Sequence, residues 1–265
     1  MFNPFLSLRL IKISFHKRYV YFFVFINILI SLIQFLKFID NPLDKTFYDW
    51  IIFNFNDFFL LSYILGNLFT VVIYYYIASS AFSNYVLIRL KHRLQWYCQT
   101  LFTILIMAFI YVVSLLCVYI LQAITTLKFD AGWSAYSVQA YGEDVLNKLS
   151  PLTLIVHNIT LVFLYLFTLG VIIFISSLYF RNPIISLVIA LGYNTIGIVI
   201  YLSRLSVLYK FTAFYNALPL NSIFKTNGLS SYLYFSYSYW IVLIIIVVLI
   251  GKLRVNRIDF DWRNR

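Results

Sequence analysis

From residue 152 to residue 178 the chain runs for 27 positions without one charged side chain. A helix needs roughly 20 mostly apolar residues to cross the hydrocarbon of a bilayer, so this stretch is more than long enough. Residues 19–36, 58–77, 101–121, 184–202 and 234–250 are also apolar and uncharged. Each has a polar boundary: Arg18 and Lys37 flank the first, Asp57 precedes the second, and Pro151 opens the fourth. Arg181-Asn182-Pro183 separates the fourth from the fifth, and Gly251-Lys252 closes the sixth. Composition rules out a water-soluble alternative. Charged residues make up 11%, against about 25% in soluble domains, too few to cover a surface facing water. The expected fold is therefore an all-α integral membrane protein, a single transmembrane domain over residues 1–265 with six crossings. Disorder, collagen, coiled coil and a disulfide scaffold are excluded by the same figures. The first apolar run is too long for a removable signal peptide, and Asn41-Pro42-Leu43 has no small-residue cleavage site.

Charge gives the orientation. With six crossings, thirteen of the 20 Lys and Arg fall on one face with only Asp259 and Asp261. These cations are Arg9, Lys12, Lys17, Arg18, Arg89, Lys91, Arg93, Arg181, Lys252, Arg254, Arg257, Arg263 and Arg265. The other face holds seven cations and seven acids, so the entire net charge of +11 lies on the first face. Cytoplasmic loops are enriched in Lys and Arg, which places both termini in the cytoplasm. Topology and attraction to anionic headgroups account for the basic excess, and no nucleic-acid partner is expected. Cys98 and Cys117 read as buried apolar fillers on or near the third span.

Three segments are too polar to cross. Residues 3–18 put Arg9, Lys12 and His16 on one helical stripe and Leu6, Leu10 and Ile13 on another, as in an interfacial amphipathic helix; a plain topogenic leader is the alternative. Residues 83–95 follow a Ser-rich break with capping residues. Here Leu87, Leu90 and Leu94 form an apolar ridge opposite Arg89, His92 and Arg93, with Tyr85 at the start and Lys91 near the edge. This pattern suits a short cytoplasmic helix that docks a soluble partner, or a basic loop lying on lipid. Residues 205–233 suit either a helix that dips into the outer leaflet and turns at Pro219 or one lying flat at the interface.

Catalytic chemistry has little to build on. Ionisable groups inside a bilayer are costly and so mark function, and the spans have no carboxylate or arginine and one histidine. Glu143 is the single glutamate and lies outside the spans, which rules out His-Glu-x-x-His zinc chemistry. No Gly-x-x-x-x-Gly-Lys-Ser/Thr segment occurs, so the chain is not a self-contained ATPase. Asn27, Gln34, Asn67, His157, Asn158 and Asn194 are the polar side chains that must face other helices or a pathway. For His157 and Asn158 a structural bond to a neighbouring helix is favoured over a ligand or proton site. No metal ligands and no catalytic residues are expected. The high aromatic content, 21%, suits interfacial belts, including Tyr74-Tyr75-Tyr76 and the run from Tyr232 to Trp240. It also suits a lining for an amphipathic substrate.

Taken in order, these parts resemble the membrane-spanning subunit of an ABC type-2 exporter, the permease family that includes teichoic-acid, polysaccharide, antibiotic and bacteriocin exporters. The resemblance is one of architecture over nearly the whole chain. It implies that residues 3–18 are the elbow helix and that 83–95 contain the coupling helix. Residues 205–233 would then cap the outer end of the pathway. It further implies a separate cytosolic ATPase that binds ATP and Mg and docks on Tyr85, Leu87, Arg89, Leu90, Lys91, His92, Arg93 and Leu94. A second copy or a sister permease would complete the path. The expected activity is export of a peptide or lipid-linked molecule across a bacterial plasma membrane, with no enzymatic step and no cofactor in this chain. Competing readings are a non-transporting immunity or assembly protein, or a gradient-driven carrier or channel. The last two would be expected to show intramembrane carboxylates or an inverted repeat.

Overall fold

Apolar sequence without interior proline sets the helices, and the breaks fall where polar residues or proline can satisfy or release the backbone. A computed structural model describes residues 17–40, 42–78, 93–130, 132–146, 150–180, 182–203, 208–220 and 229–257. The elbow residues Arg9, Lys12 and His16 lie outside the described residues, as do Tyr85 to His92 of the expected coupling helix. Helix α1 spans Lys17–Ile39, α2 Phe47–Asn56 and α3 Leu60–Ala78. Helix α4 spans Arg93–Thr126, followed by two short helices, α5 (Ala135–Tyr141) and α6 (Glu143–Leu146). Then come α7 (Pro151–Phe180), α8 (Pro183–Ser203), the single-turn α9 (Ala213–Ala217) and α10 (Leu229–Arg257). Among the described residues, α3, α4, α7, α8 and α10 are long and apolar enough to cross a membrane. The protein is an all-helical membrane protein.

Helix α7 is the axis of the molecule. It packs against α2, α3, α4, α8 and α10, and its apolar residues are buried on nearly every side. Gly170 permits the close approach of α4, since a Cβ there would stand 2.6 Å from Cγ2 of Ile104. Helices α8 and α10, by contrast, expose rows of Ile, Val and Leu, including Val188, Ile196, Val199, Ile241, Ile245 and Leu249. Such faces require lipid or another apolar surface.

The helix ends cluster into two poles. At one pole the segment between α1 and α3 is not an open loop. Residues 47–56 form α2, and Trp50, Ile51, Ile52 and Phe55 on it are buried among the long helices. Trp50 meets Phe35, Phe38 and Tyr119. The Asp49 carboxylate accepts from the Thr46 amide (2.6 Å) and hydroxyl (2.8 Å) at the start of α2. It also accepts from the Ser137 hydroxyl of α5, which pins the 132–146 segment to α2. Thr46 and Lys128 form a short parallel bridge, and the ammonium of Lys45 donates to the Phe38 and Ile39 carbonyls that end α1. Burial pulls the Lys45 pKa below its ordinary value, against the opposing pull of Asp40.

At the same pole, residues 212–220 are buried throughout. Helix α9 packs on α7, α8 and α10, with Tyr232 and Trp240 of α10 donating to the carbonyls of Tyr215 (2.6 Å) and Asn216 (3.1 Å). The two inserted segments meet where the Leu220 amide donates to Asn56 Oδ1 at 3.3 Å. We call this pole the capped pole. Tyr232 and Trp240, expected at an interface, are instead buried because their donors are needed by the backbone of α9. Tyr76 is buried likewise.

The opposite pole gathers the beginning of α4 with the ends of α7 and α10. Tyr97 donates to the Val248 carbonyl at 2.7 Å, and Trp96 and Tyr97 both pack on Phe174. Arg93 and Leu94, assigned from sequence to a separate short helix, are here the first two residues of α4. Leu94 is exposed. Cys117, expected as a buried filler, is exposed on the same helix because it lies off the stripe (Tyr111, Val112, Leu115, Tyr119) that faces the protein.

Candidate functional site

The polar side chains of the spans do not scatter. Three of them collect around α3. Its first part, Leu60–Leu65, is a π-helix, a form found mostly as single turns at functional positions. There the Gly66 amide donates to the Leu61 carbonyl, where regular α-helical spacing would have used Ser62. The Ser62 carbonyl instead accepts from Asn194 Nδ2 of α8 at 2.8 Å. The second proton of that amide goes to Asn67 Oδ1 at 2.9 Å, and Asn194 Oδ1 accepts from the Tyr165 hydroxyl of α7 at 2.7 Å. Asn67 returns its own amide to the Tyr63 carbonyl, 3.0 Å away. One side chain thus ties α3, α7 and α8 together, with Asn194 and Tyr165 both buried.

Gly66 makes the node possible. A Cβ on it would stand 2.4 Å from the Tyr165 hydroxyl oxygen and 3.1 Å from the Leu61 carbonyl. Only glycine lets the tyrosine reach across α3 to Asn194.

On the other side of α3, the Tyr111 hydroxyl of α4 lies 3.4 Å from Asn27 Oδ1 of α1 and 3.5 Å from the Leu65 carbonyl. These two bonds are long and share one donor. Toward the capped pole, Gln34 Nε2 donates to Asp57 Oδ2 at 3.3 Å. Asp57 Oδ1 accepts from the amides of Phe59 (2.8 Å) and Leu60 (3.1 Å), so the carboxylate caps the start of this helix. Asp57 separates α2 from the second long helix.

His157 is half-buried, with Nδ1 2.8 Å from the Tyr237 hydroxyl of α10. Asn158 is fully buried, and neither atom of its amide has a partner. The structure therefore brings Asn67 and Asn194 together. Asn27 lies across α3 from them, Gln34 is near the cap, and His157 and Asn158 are on α7. Apart from Asn158, it joins them into local ties rather than one continuous chain. Sequence reasoning missed Tyr111, Tyr165 and Gly66. The available signal was a hydroxyl more than three turns from either end of an apolar helix, which must find an acceptor inside the protein.

The site is neutral. It offers amide and hydroxyl groups beside an aromatic wall, in which Phe59 and Tyr63, both exposed, stack at 6.0 Å. No group of His, Cys, Asp and Glu among the described residues is arranged to hold a metal. Such a lining can hold helices in register and contact an uncharged or amphipathic molecule.

No protein-family model matches the chain, and no solved structure matches it. The chain is similar to an uncharacterized protein of Halalkalibacterium halodurans, 26% identical over 260 residues that cover 96% of this chain and 94% of that protein.

Proposed function

We propose that this protein is the membrane-spanning permease subunit of an ABC-type exporter in a bacterial plasma membrane. In this reading α1 crosses as well, giving six spans with both termini in the cytoplasm and the capped pole outside. A cytosolic ATPase, binding ATP and Mg, supplies the work. A second permease copy or a sister subunit completes the path, and the substrate is an amphipathic peptide or a lipid-linked molecule. This chain catalyses no reaction itself.

The observation that carries the reading is the separation of charge between the poles. Arg93, Lys252, Arg254 and Arg257 gather at the pole opposite the cap with no described acid, while at the capped one Asp40, Asp44, Asp49, Asp57, Asp130 and Glu143 share the pole with Lys37, Lys45, Lys128 and Lys210. Between the poles runs a neutral polar interior without a carboxylate to harvest an ion gradient. In this reading a motor acts from the cationic pole, at the start of α4. Arg93 and Leu94, being continuous with a 34-residue helix, would carry a push at that pole rigidly toward the cap.

The test is the double reversal Arg89→Glu plus Arg93→Glu in a tagged chain purified from its own cells. ATPase activity that co-purifies with the wild type is expected to fall to background, with the amount of inserted protein unchanged. Undiminished co-purification would refute the assignment.

A further inference from the structure

At the cationic pole two arginines of α10 stand at its seam with α7, and only one of them is used in packing the two helices together. Arg254 of α10 reaches across to α7. Its Nε donates to the Leu178 carbonyl at 3.3 Å, one of the last carbonyls of α7, which lack partners within their own helix. Its guanidinium carbon lies 5.2 Å from the centre of the Tyr179 ring. Tyr179 returns the contact, donating from its hydroxyl to the Ile250 carbonyl at 3.3 Å. These reciprocal ties fix the plane of the guanidinium at the seam, and its terminal amino groups have no partner among the described residues. Arg257 follows three residues later, only about 60° around the helix from Arg254, and is exposed. No described carboxylate lies at this pole, so nothing in the described protein neutralises the pair.

The neighbours identify the anion. Leu253 and Phe180 adjoin Arg254 and Tyr179 and are 62% and 54% exposed. Large apolar side chains at the same axial level as paired arginines require acyl chains beside the charge, and an exposed tyrosine belongs at that boundary. A free anion would leave Leu253 and Phe180 in water. We propose that the surface formed by Arg254, Arg257 and Tyr179 beside the α7–α10 seam binds the phosphate of an anionic phospholipid headgroup. Its chains would lie along Leu253 and Phe180. The site is independent of the transport assignment.

The test uses the whole protein in nanodiscs of phosphatidylcholine with a minor fraction of phosphatidylglycerol, with retained lipid counted by native mass spectrometry. The wild type is expected to hold one phosphatidylglycerol selectively. Arg254→Ala should weaken its retention about tenfold, as befits loss of a charge-assisted bond, but it also removes a tie between helices. Arg257→Ala touches neither tie and should lower retention several-fold. Lys252→Ala, about 160° away from Arg254 on α10, should leave it unchanged. Equal losses for Arg257→Ala and Lys252→Ala would reduce the effect to diffuse charge and overturn the site, as would no loss for Arg257→Ala. Displacement of the lipid by millimolar inorganic phosphate would mark a soluble-anion site instead and overturn the lipid assignment.

Discussion

Asn194 uses both protons and one lone pair of its amide inside the protein, linking three helices through Ser62, Asn67 and Tyr165. Side-chain bonds between membrane helices average about 0.6 kcal/mol and reach roughly 1.7 kcal/mol. Asn194→Leu, which orphans several partners together, should therefore lower stability by about 1–3 kcal/mol. A sharper test exploits the contact between Gly66 and Tyr165. In Gly66→Ala the new methyl meets a hydroxyl oxygen at 2.4 Å on a buried ring that is held by its own hydrogen bond. Overpacking of this kind costs roughly 1–3 kcal/mol. Tyr165→Phe removes the offending atom while sacrificing the bond to Asn194. In thermal unfolding of the detergent-solubilised protein, each single substitution should destabilise. The double variant should be more stable than their sum by about 1 kcal/mol. Strict additivity would mean that the hydroxyl does not lie over Gly66.

At the level of the element, α2 shows how a segment too short to cross can still be buried from all sides. Its start is organised by Asp49, whose carboxylate serves Thr46 and Ser137 at once. Asp49→Ala should release both the beginning of α2 and the attachment of α5, at about 1–3 kcal/mol. Limited proteolysis should then cut first within residues 127–150. Proteolysis no faster than in the wild type would show that the cap is held by its apolar contacts alone. The long helices were legible because uninterrupted apolar length is itself the physical requirement for crossing. Helix α2 was not, since Phe47-Tyr48-Asp49-Trp50-Ile51-Ile52-Phe53-Asn54-Phe55-Asn56 is neither long nor periodic, and Asp49 resembles any loop acid. The spacing Thr46-x-x-Asp49, related to a capping box, was the overlooked sign. The π-helix at Leu60–Leu65 was equally hidden. It frees the Ser62 carbonyl for Asn194, a partner that lies 132 residues away in the chain. For the same reason the polar spans could be named from sequence, whereas their pairing could not.

For the whole molecule, the two poles differ in both charge and construction. The capped pole is closed by buried inserted segments tied by Asn56 to Leu220 and by Asp49 to Ser137. Among the described residues, the opposite pole is stitched by side chains of α4, α7 and α10, including Tyr97, Tyr179 and Arg254. In the proposed reading the cationic pole faces the cytoplasm, by the positive-inside rule. With Cys98 and Cys117 replaced by Ala, a single cysteine at Asp130, which is exposed in the cap, should react with a membrane-impermeant maleimide on intact cells. A cysteine at Arg257, exposed at the other pole, should react only after permeabilisation. The reverse pattern would invert the protein and separate the cationic pole from any cytosolic motor. Labelling of both sites on intact cells would break the alternation of spans on which the six-crossing reading depends.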